Sequence, residues 1–273
     1  MHFITVQLKC GEELSEILQA LIGNIGFDSF LEDENGFEAS IEKDQYAEEE
    51  LKEVLAPFEG QIEYTVREEE KKNWNKLWEE NYDMVEISEE LIIRASFHKP
   101  EKPYPYEIVI NPKMSFGTGH HPTTTLMLRN QLKLDHKDKI VADLGAGTGI
   151  LAIMAKKLGA KLVDACDIEE WAVENAIENA KINEVDFDMT QGTVQEMTLH
   201  APYDIVIANI NRNVLLTEMQ LYAEMLKENG TLLLSGFYTE DIETMQAEAE
   251  KHGLSYESHL ELRNWVSMRL KKG

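Results

Sequence analysis

Three polar features in the second half of the chain have the types and spacing to hold a nucleoside. Asp143-Leu144-Gly145-Ala146-Gly147-Thr148-Gly149 follows a strand-like run and opens a helix-like one, the place where open α/β sheets bind ligands. Gly145, Gly147 and Gly149 allow a tight turn and let the backbone approach a ligand closely. The last glycine falls one residue too early for a dinucleotide fingerprint, and glycines alone are a weak signal. Asp167, the last residue of the next strand-like run, is the stronger one, because a carboxylate there can accept hydrogen bonds from both hydroxyls of a ribose. Asn209 ends the apolar run YDIVIAN and offers both an amide acceptor and amide donors. A structural glycine turn with a helix-capping aspartate explains the first two features singly, but not all three in this order.

A second glycine cluster, MSFGTGHHPTTT at 114–125, admits three readings: a phosphate loop, a metal site or a lid over a ligand. A phosphate loop wants Gly-Lys-Ser/Thr before a helix, and the segment has no lysine. A metal site wants histidines on one face with a third ligand, whereas the adjacent His120 and His121 tend to point apart, so no metal is expected. In the remaining reading Pro122 starts a helix with Thr123 and Thr124 in its first turn. Free N–H groups there suit a carboxylate, and a flexible FGTG segment before it can close over the ligand.

Periodicity supplies the elements that must position these groups. From residue 139 apolar strands alternate with helices: KIVADLG with ILAIMAKKLG, KLVDACD with EEWAVENAIENAKIN, then strands FDMTQGTV and YDIVIANI, helix NVLLTEMQLYAEMLKENG (213–230), strand TLLLSGF and helix EDIETMQAEAEKHG. This predicts a doubly wound, mostly parallel α/β sheet of seven strands. The short connection at Arg263-Asn264 makes the two closing strands, LSYESHLEL and WVSMRLKK, antiparallel. Residues 1–68 read as βαββαβ, a small ferredoxin-like α+β domain, with Asn35-Gly36 as a hairpin signal and Asp44 as the N-cap of a helix over 44–58. A helix over 71–82 places Trp74 and Trp78 on one face as packing anchors. Two further strands at 91–97 and 106–112 complete a connecting region. The expected division is therefore 1–68, a linker over 69–112, and the sheet domain over 113–273.

Composition narrows the function classes. The formal charge of −25 argues against direct binding to a DNA or RNA backbone, which lysine and arginine would have to neutralise, and favours a basic protein partner. No apolar run is long enough to span a bilayer and the first residues lack a leader pattern, so a cytoplasmic protein without a membrane partner is expected. Cys10 and Cys166 form no disulfide framework or zinc spacing.

A mostly parallel seven-stranded sheet ending in an antiparallel hairpin resembles the Rossmann-like class I fold of S-adenosylmethionine-dependent methyltransferases. More specifically, NW-x3-W (73–78), NPKMSFGTGHHPTT (111–124), DLGAGTGILAIMAKKLGA (143–160), DACDIEEWAVENAIENAKIN (164–183) and IVIANI (205–210) resemble, in order and spacing, the PrmA-type methyltransferases that modify large-subunit ribosomal protein eleven. The resemblance implies S-adenosyl-L-methionine as cofactor. It is carried over by position to Thr124, Gly145, Asp167 and Asn209, with Phe116, Gly117 and Gly147 as neighbours, and FGTGHHPTT goes to the methionyl end. It further implies protein N-methylation on lysine side-chain and N-terminal amines of a basic ribosomal protein, with the N-terminal domain recognising it. His120 stands where the family usually has threonine. The Asn/Asp-Pro-Pro-aromatic motif of many amino-group methyltransferases is absent, since Asn209-Ile210-Asn211 stands there. No general base is assigned. The alternatives are a methyltransferase acting on RNA or a small molecule, and a catalytically silent cofactor-binding module.

Overall fold

The computed structural model describes residues 2–33, 35–70, 82–111, 113, 115–197, 200 and 202–273. The expected helix carrying Trp74 and Trp78 lies outside them, apart from Tyr82. The chain divides into two compact units, Met1–Asn81 and Tyr82–Gly273.

In the first unit β1 (His2–Lys9), β2 (Ser29–Asp33), β3 (Gly36–Glu42) and β4 (Glu63–Glu70) form an antiparallel sheet in the order β2-β3-β1-β4. Helices Glu12–Gly23 and Glu48–Leu55 supply its other elements. Val6, Leu8, Phe37, Ala39 and Ile41 alternate with polar neighbours, so one sheet face packs with Leu18, Ile22, Leu51 and Leu55 into one core. This is the ferredoxin-like arrangement. Asp44 does not cap the second helix as expected: it sits in a 3-10 turn, Lys43–Gln45, and the helix begins four residues later after Ala47. Three glutamates, Glu48 to Glu50, complement the helix dipole there in place of a side-chain cap.

In the second unit a small sheet of β5 (Val85–Ser88), β6 (Leu91–Arg94) and β7 (Tyr106–Val109) precedes the large one. The large sheet contains β8 (Ile140–Leu144), β9 (Leu162–Asp167), β10 (Asp188–Gln191), β11 (Tyr203–Asn209), β12 (Leu226–Tyr238), β13 (Leu254–Leu262) and β14 (Trp265–Lys272), in the order β10-β9-β8-β11-β12-β14-β13. β14 runs antiparallel between β12 and β13, and Arg263 and Asn264 both take positive φ in the connecting turn. The chain moves outward from β8 through β9 to β10, then returns to β11 on the other side of β8. The topological switch point therefore lies between β8 and β11, where doubly wound sheets open a crevice.

Two cores cover the sheet. Helices Pro122–Gln131 and Ile150–Lys157 pack with the small sheet on one face. Helices Arg212–Met225 and Ile242–Lys251 pack on the other. Helix Arg212–Met225 stops five residues before the expected end, because the chain already pairs at Tyr203↔Leu226 before an irregular Lys227–Gly230 stretch with Asn229 at φ 60°. β10 is also shorter than expected, since Gly192 turns the chain into a capping box of Thr193 and Glu196. Buried Asp164 of β9 accepts from the His200 backbone N–H, the His200 ring and the Tyr203 hydroxyl, which ties β9 to the start of β11. Among the described residues no helix is long and apolar enough to cross a membrane.

Candidate active site

The glycine loop is shaped by contacts no larger residue would permit. Gly145, Gly147 and Gly149 have φ of 71°, 56° and 76°, a region L-residues seldom adopt. A Cβ on Gly145 would lie 2.4 Å from Ile210 Cγ2, and one on Gly147 2.4 Å from the Phe116 carbonyl oxygen. The N–H groups of Gly145 and Ala146 donate to Cys166 O at 2.9 and 3.0 Å, fixing the loop across the end of β9. Gly147 N–H donates to Asp167 Oδ2 at 2.8 Å, and Glu169 N–H to Oδ1 at 3.1 Å. The Asp167 carboxylate is thus oriented by two backbone donors, with lone pairs left for two hydroxyls.

Phe116 and Gly117 are fastened to this loop. Thr148 N–H donates to Phe116 O at 2.9 Å and the Thr148 hydroxyl donates to Gly117 O at 2.7 Å. The FGTG segment expected to be a flexible lid is therefore hydrogen-bonded to the glycine loop at its first two residues. Gly117 itself needs its φ of 103°, since a Cβ there would approach Thr148 Oγ1 to 2.6 Å.

Helix Glu170–Ile182 and its C-cap hold the loop with three buried asparagines at four-residue spacing, Asn175, Asn179 and the cap residue Asn183. Asn179 accepts from Asn111 N–H at 2.9 Å and donates to Thr148 O at 3.0 Å. Asn183 accepts from Val109 N–H at 2.9 Å and donates back to Val109 O at 2.6 Å, while Asn175 donates to Asn111 O at 3.4 Å. The chain leaving β7 and the glycine loop are thereby tied to one helix. Asp143 anchors the other side: Oδ2 accepts from Ala152 N–H in the first turn of helix Ile150–Lys157, at 2.9 Å. Burial pushes the Asp143 carboxyl up to about 7, against the Ala152 hydrogen bond and with help from the Asp167 charge.

These elements enclose a cavity of about 410 Å³, within the range of small-molecule sites. Its wall includes Phe116, Gly145, Gly147, Asp167 and Asn209, five of the residues singled out by sequence. Exposed Ile168, Trp171 and Val214, with Ala172, Val194 and Ile210, give it an apolar slot beside Asp167. That slot suits a planar base next to a ribose-binding acid. Ile168, Trp171, Ala172 and Ile210 fall inside the motif segments without being singled out there, and Val194 and Val214 lie outside them; only the fold brings the six together, although Ile168 was discoverable as the residue after the strand-ending acid.

A second cavity of about 320 Å³ adjoins the first, sharing Phe116, Asn209, Ile210 and Asn211, and adding His121, Thr123, Gly236 and Trp265. Its aromatic walls are close: His121 lies 5.3 Å from Phe116 and 4.8 Å from Trp265, which in turn lies 4.1 Å from Tyr238. Gly236 admits the chain beside β11, since a Cβ there would fall 1.9 Å from Ile210 O. His121 is the N-cap of helix Pro122–Gln131, its Nδ1 accepting from Thr123 N–H at 3.3 Å, and burial lowers its pKa. The neutral ring then carries its proton on Nε2 and serves as a wall or donor rather than a base.

Thr124 and Gly117 are not brought to either cavity wall. Thr124 is fully buried and its hydroxyl has no hydrogen-bond partner among the described residues. The two histidines face different neighbours. The His120 ring lies 4.9 Å from Tyr82, with Nε2 against Asp83 O at 3.1 Å and Nδ1 against Thr118 Oγ1 at 3.2 Å.

Comparison with known proteins gives a consistent match. The family model described as ribosomal protein L11 methyltransferase (PrmA) matches residues 9–273. A protein of Bacteroides fragilis named ribosomal protein L11 methyltransferase is 42% identical over 265 residues, covering 95% of this chain and 95% of its own length. One of Porphyromonas gingivalis with the same name is 40% identical over 263 residues, covering 94% and 91%. The crystal structure of a ribosomal protein L11 methylase from Lactobacillus delbrueckii subsp. bulgaricus is 27% identical with a TM-score of 0.65, covering 70% of this chain and all of that one.

Proposed function

The chain belongs to the ribosomal protein L11 methyltransferase (PrmA) family, and from that premise we propose that it transfers methyl groups from S-adenosyl-L-methionine to lysine side-chain and N-terminal amines of the large-subunit ribosomal protein L11. The observation that carries this reading is the junction of two unlike cavities at Asn209: one with a carboxylate beside an apolar slot, the other walled by aromatic rings. The first suits a nucleoside and the second an amine.

In this reading Asp167 accepts from the ribose hydroxyls, Gly145 and Gly147 allow close backbone approach, and the apolar slot takes the base. The residue set fits the cofactor: glycine Cβ positions are blocked, a hydroxyl on Thr124 lacks a partner, and the carboxylate is already oriented. The methionyl end is assigned to Thr124 and its helix start. When bound, the cofactor would supply a methyl group activated by its sulfonium, with the neutral thioether S-adenosylhomocysteine as the leaving group.

Phe116 and Trp265 bring to this cavity aromatic rings of the kind that attract an ammonium. The neutral His121 adds no opposing charge. At the junction the Asn209 amide can accept from the target N–H and aim its lone pair. Deprotonating a lysine at pH 7 costs about 4.6 kcal/mol, and an N-terminal amine about 1 kcal/mol. Among the described residues no Asp or Glu lines the second cavity, and the proton is assigned to solvent before transfer. The acidic chain attracts a basic ribosomal protein, and the Met1–Asn81 unit is assigned its recognition.

The cavity division is tested with Trp265→Ala. The KM for a lysine substrate should rise about threefold to thirtyfold, while Kd for S-adenosylhomocysteine stays unchanged. An equal loss of both would show that the aromatic chamber is not the amine site.

A further inference from the structure

The large cavity contains a carboxylate that the family motifs do not touch. Glu218 lies on helix Arg212–Met225, one turn after Val214, and both line the cavity from the β11 side of the switch point. Asp167 and Glu169 line it from the β9 side, and Asp167 is the group placed at the ribose. Leu144, Cys166, Val194 and Val214 line the same cavity as Glu218, together with polar Thr193, Asn209 and Asn211.

One Glu218 oxygen is already fixed. Oε2 accepts from the Tyr222 hydroxyl at 2.6 Å, and Tyr222 is fully buried. Burial, reinforced by the Glu218 carboxylate itself, raises the Tyr222 pKa, so the phenol stays a donor. The carboxylate is thereby held in place, while Oε1 remains able to accept. The polar side chains after β10 are committed to each other, since Thr193 N–H and its hydroxyl both donate to Glu196 Oε2 at 2.9 Å. This part of the cavity thus presents a fixed side-chain acceptor at Glu218. A flat base entering there needs an N–H at its far edge, and adenine has one pair, on its exocyclic amine.

Resting on the cofactor reading above, we propose that Glu218 accepts a hydrogen bond from the exocyclic amine of adenine, making it the residue by which this chain selects an adenine nucleoside.

The test pairs a ligand change with a side-chain change in the intact protein. Kd is measured by calorimetry for S-adenosylhomocysteine and for its purine-riboside analogue, which has hydrogen in place of the amine. Wild type should prefer the amine by about tenfold or more, as expected for a hydrogen bond to a charged group. In Glu218→Leu the preference should shrink to about twofold or less, because the acceptor is gone and each change then removes the same bond. Glu218→Gln, which keeps a group for Tyr222 to bond, should fall between if the leucine variant does not fold. A preference that persists undiminished in the variants, or that is absent in wild type, overturns the assignment. If wild type binds neither ligand, the cofactor reading fails instead.

Discussion

Asp167 is oriented by two backbone donors and is the group placed at the ribose in the proposed function, so its removal should be costly. Losing two charge-assisted hydrogen bonds, Asp167→Ala should weaken S-adenosylhomocysteine binding on the order of 100-fold. Thr124→Ala should weaken it less, about tenfold or below, because its hydroxyl lines neither cavity. Isothermal titration distinguishes the two, and equal losses would place Thr124 at the ligand as firmly as Asp167. Asp143 makes a different prediction. Its carboxyl, pushed up to about 7 by burial, holds its proton more tightly folded than unfolded. That contribution is complete below about pH 4 and is lost as pH rises to about 7, on the order of 4 kcal/mol in all. In urea denaturation, the stability of wild type relative to Asp143→Asn should fall across that window and stay level above it. At this scale Gly145, Asp167 and Asn209, which line the first cavity, could be picked out along the chain, because Asp167 and Asn209 end strands and Gly145 directly follows one. It hid Trp171, Val214 and Glu218, since an apolar or acidic residue on a helix looks the same whether it faces water or a ligand.

Elements carry the site through the asparagine ladder of helix Glu170–Ile182. Asn179 satisfies two buried backbone groups in different segments, Asn111 N–H and Thr148 O. Asn179→Ala leaves both without that partner and should destabilise the second unit by about 2–4 kcal/mol, with weaker cofactor binding because Thr148 also fastens Phe116 and Gly117. Chemical denaturation and S-adenosylhomocysteine titration of the same variant check both parts. A change below about 0.5 kcal/mol would show that the ladder is decorative. Asparagines on a helix at four-residue spacing read as solvated or neutral by propensity, and only their burial shows otherwise. Strand and helix order was legible because the period changes sharply between them, and Arg263-Asn264 was short enough to fix the last pair. Boundaries were missed where tertiary pairing overrode local pattern. Leu226 joins β12 while the sequence still reads as helix, and Asp44 looks like a cap but stands in a separate turn.

The whole molecule couples a ferredoxin-like unit to a class I methyltransferase fold, and both were foreseen from the order of elements. What order could not give is the meeting of two cavities at Asn209, since His121 and Trp265 are far apart in the chain and join only through β14 and the start of helix Pro122–Gln131. The charge of −25 belongs to this scale as well, since under the proposed function it would draw a basic substrate toward the chain. The central claim is that the amine chamber serves a ribosomal protein. It is tested most directly by incubating the purified protein with methyl-labelled S-adenosylmethionine and undermethylated large ribosomal subunits, then separating proteins from RNA. The account predicts label in protein L11, on lysine and N-terminal amines. Label confined to RNA, or absent from every protein band, would contradict it.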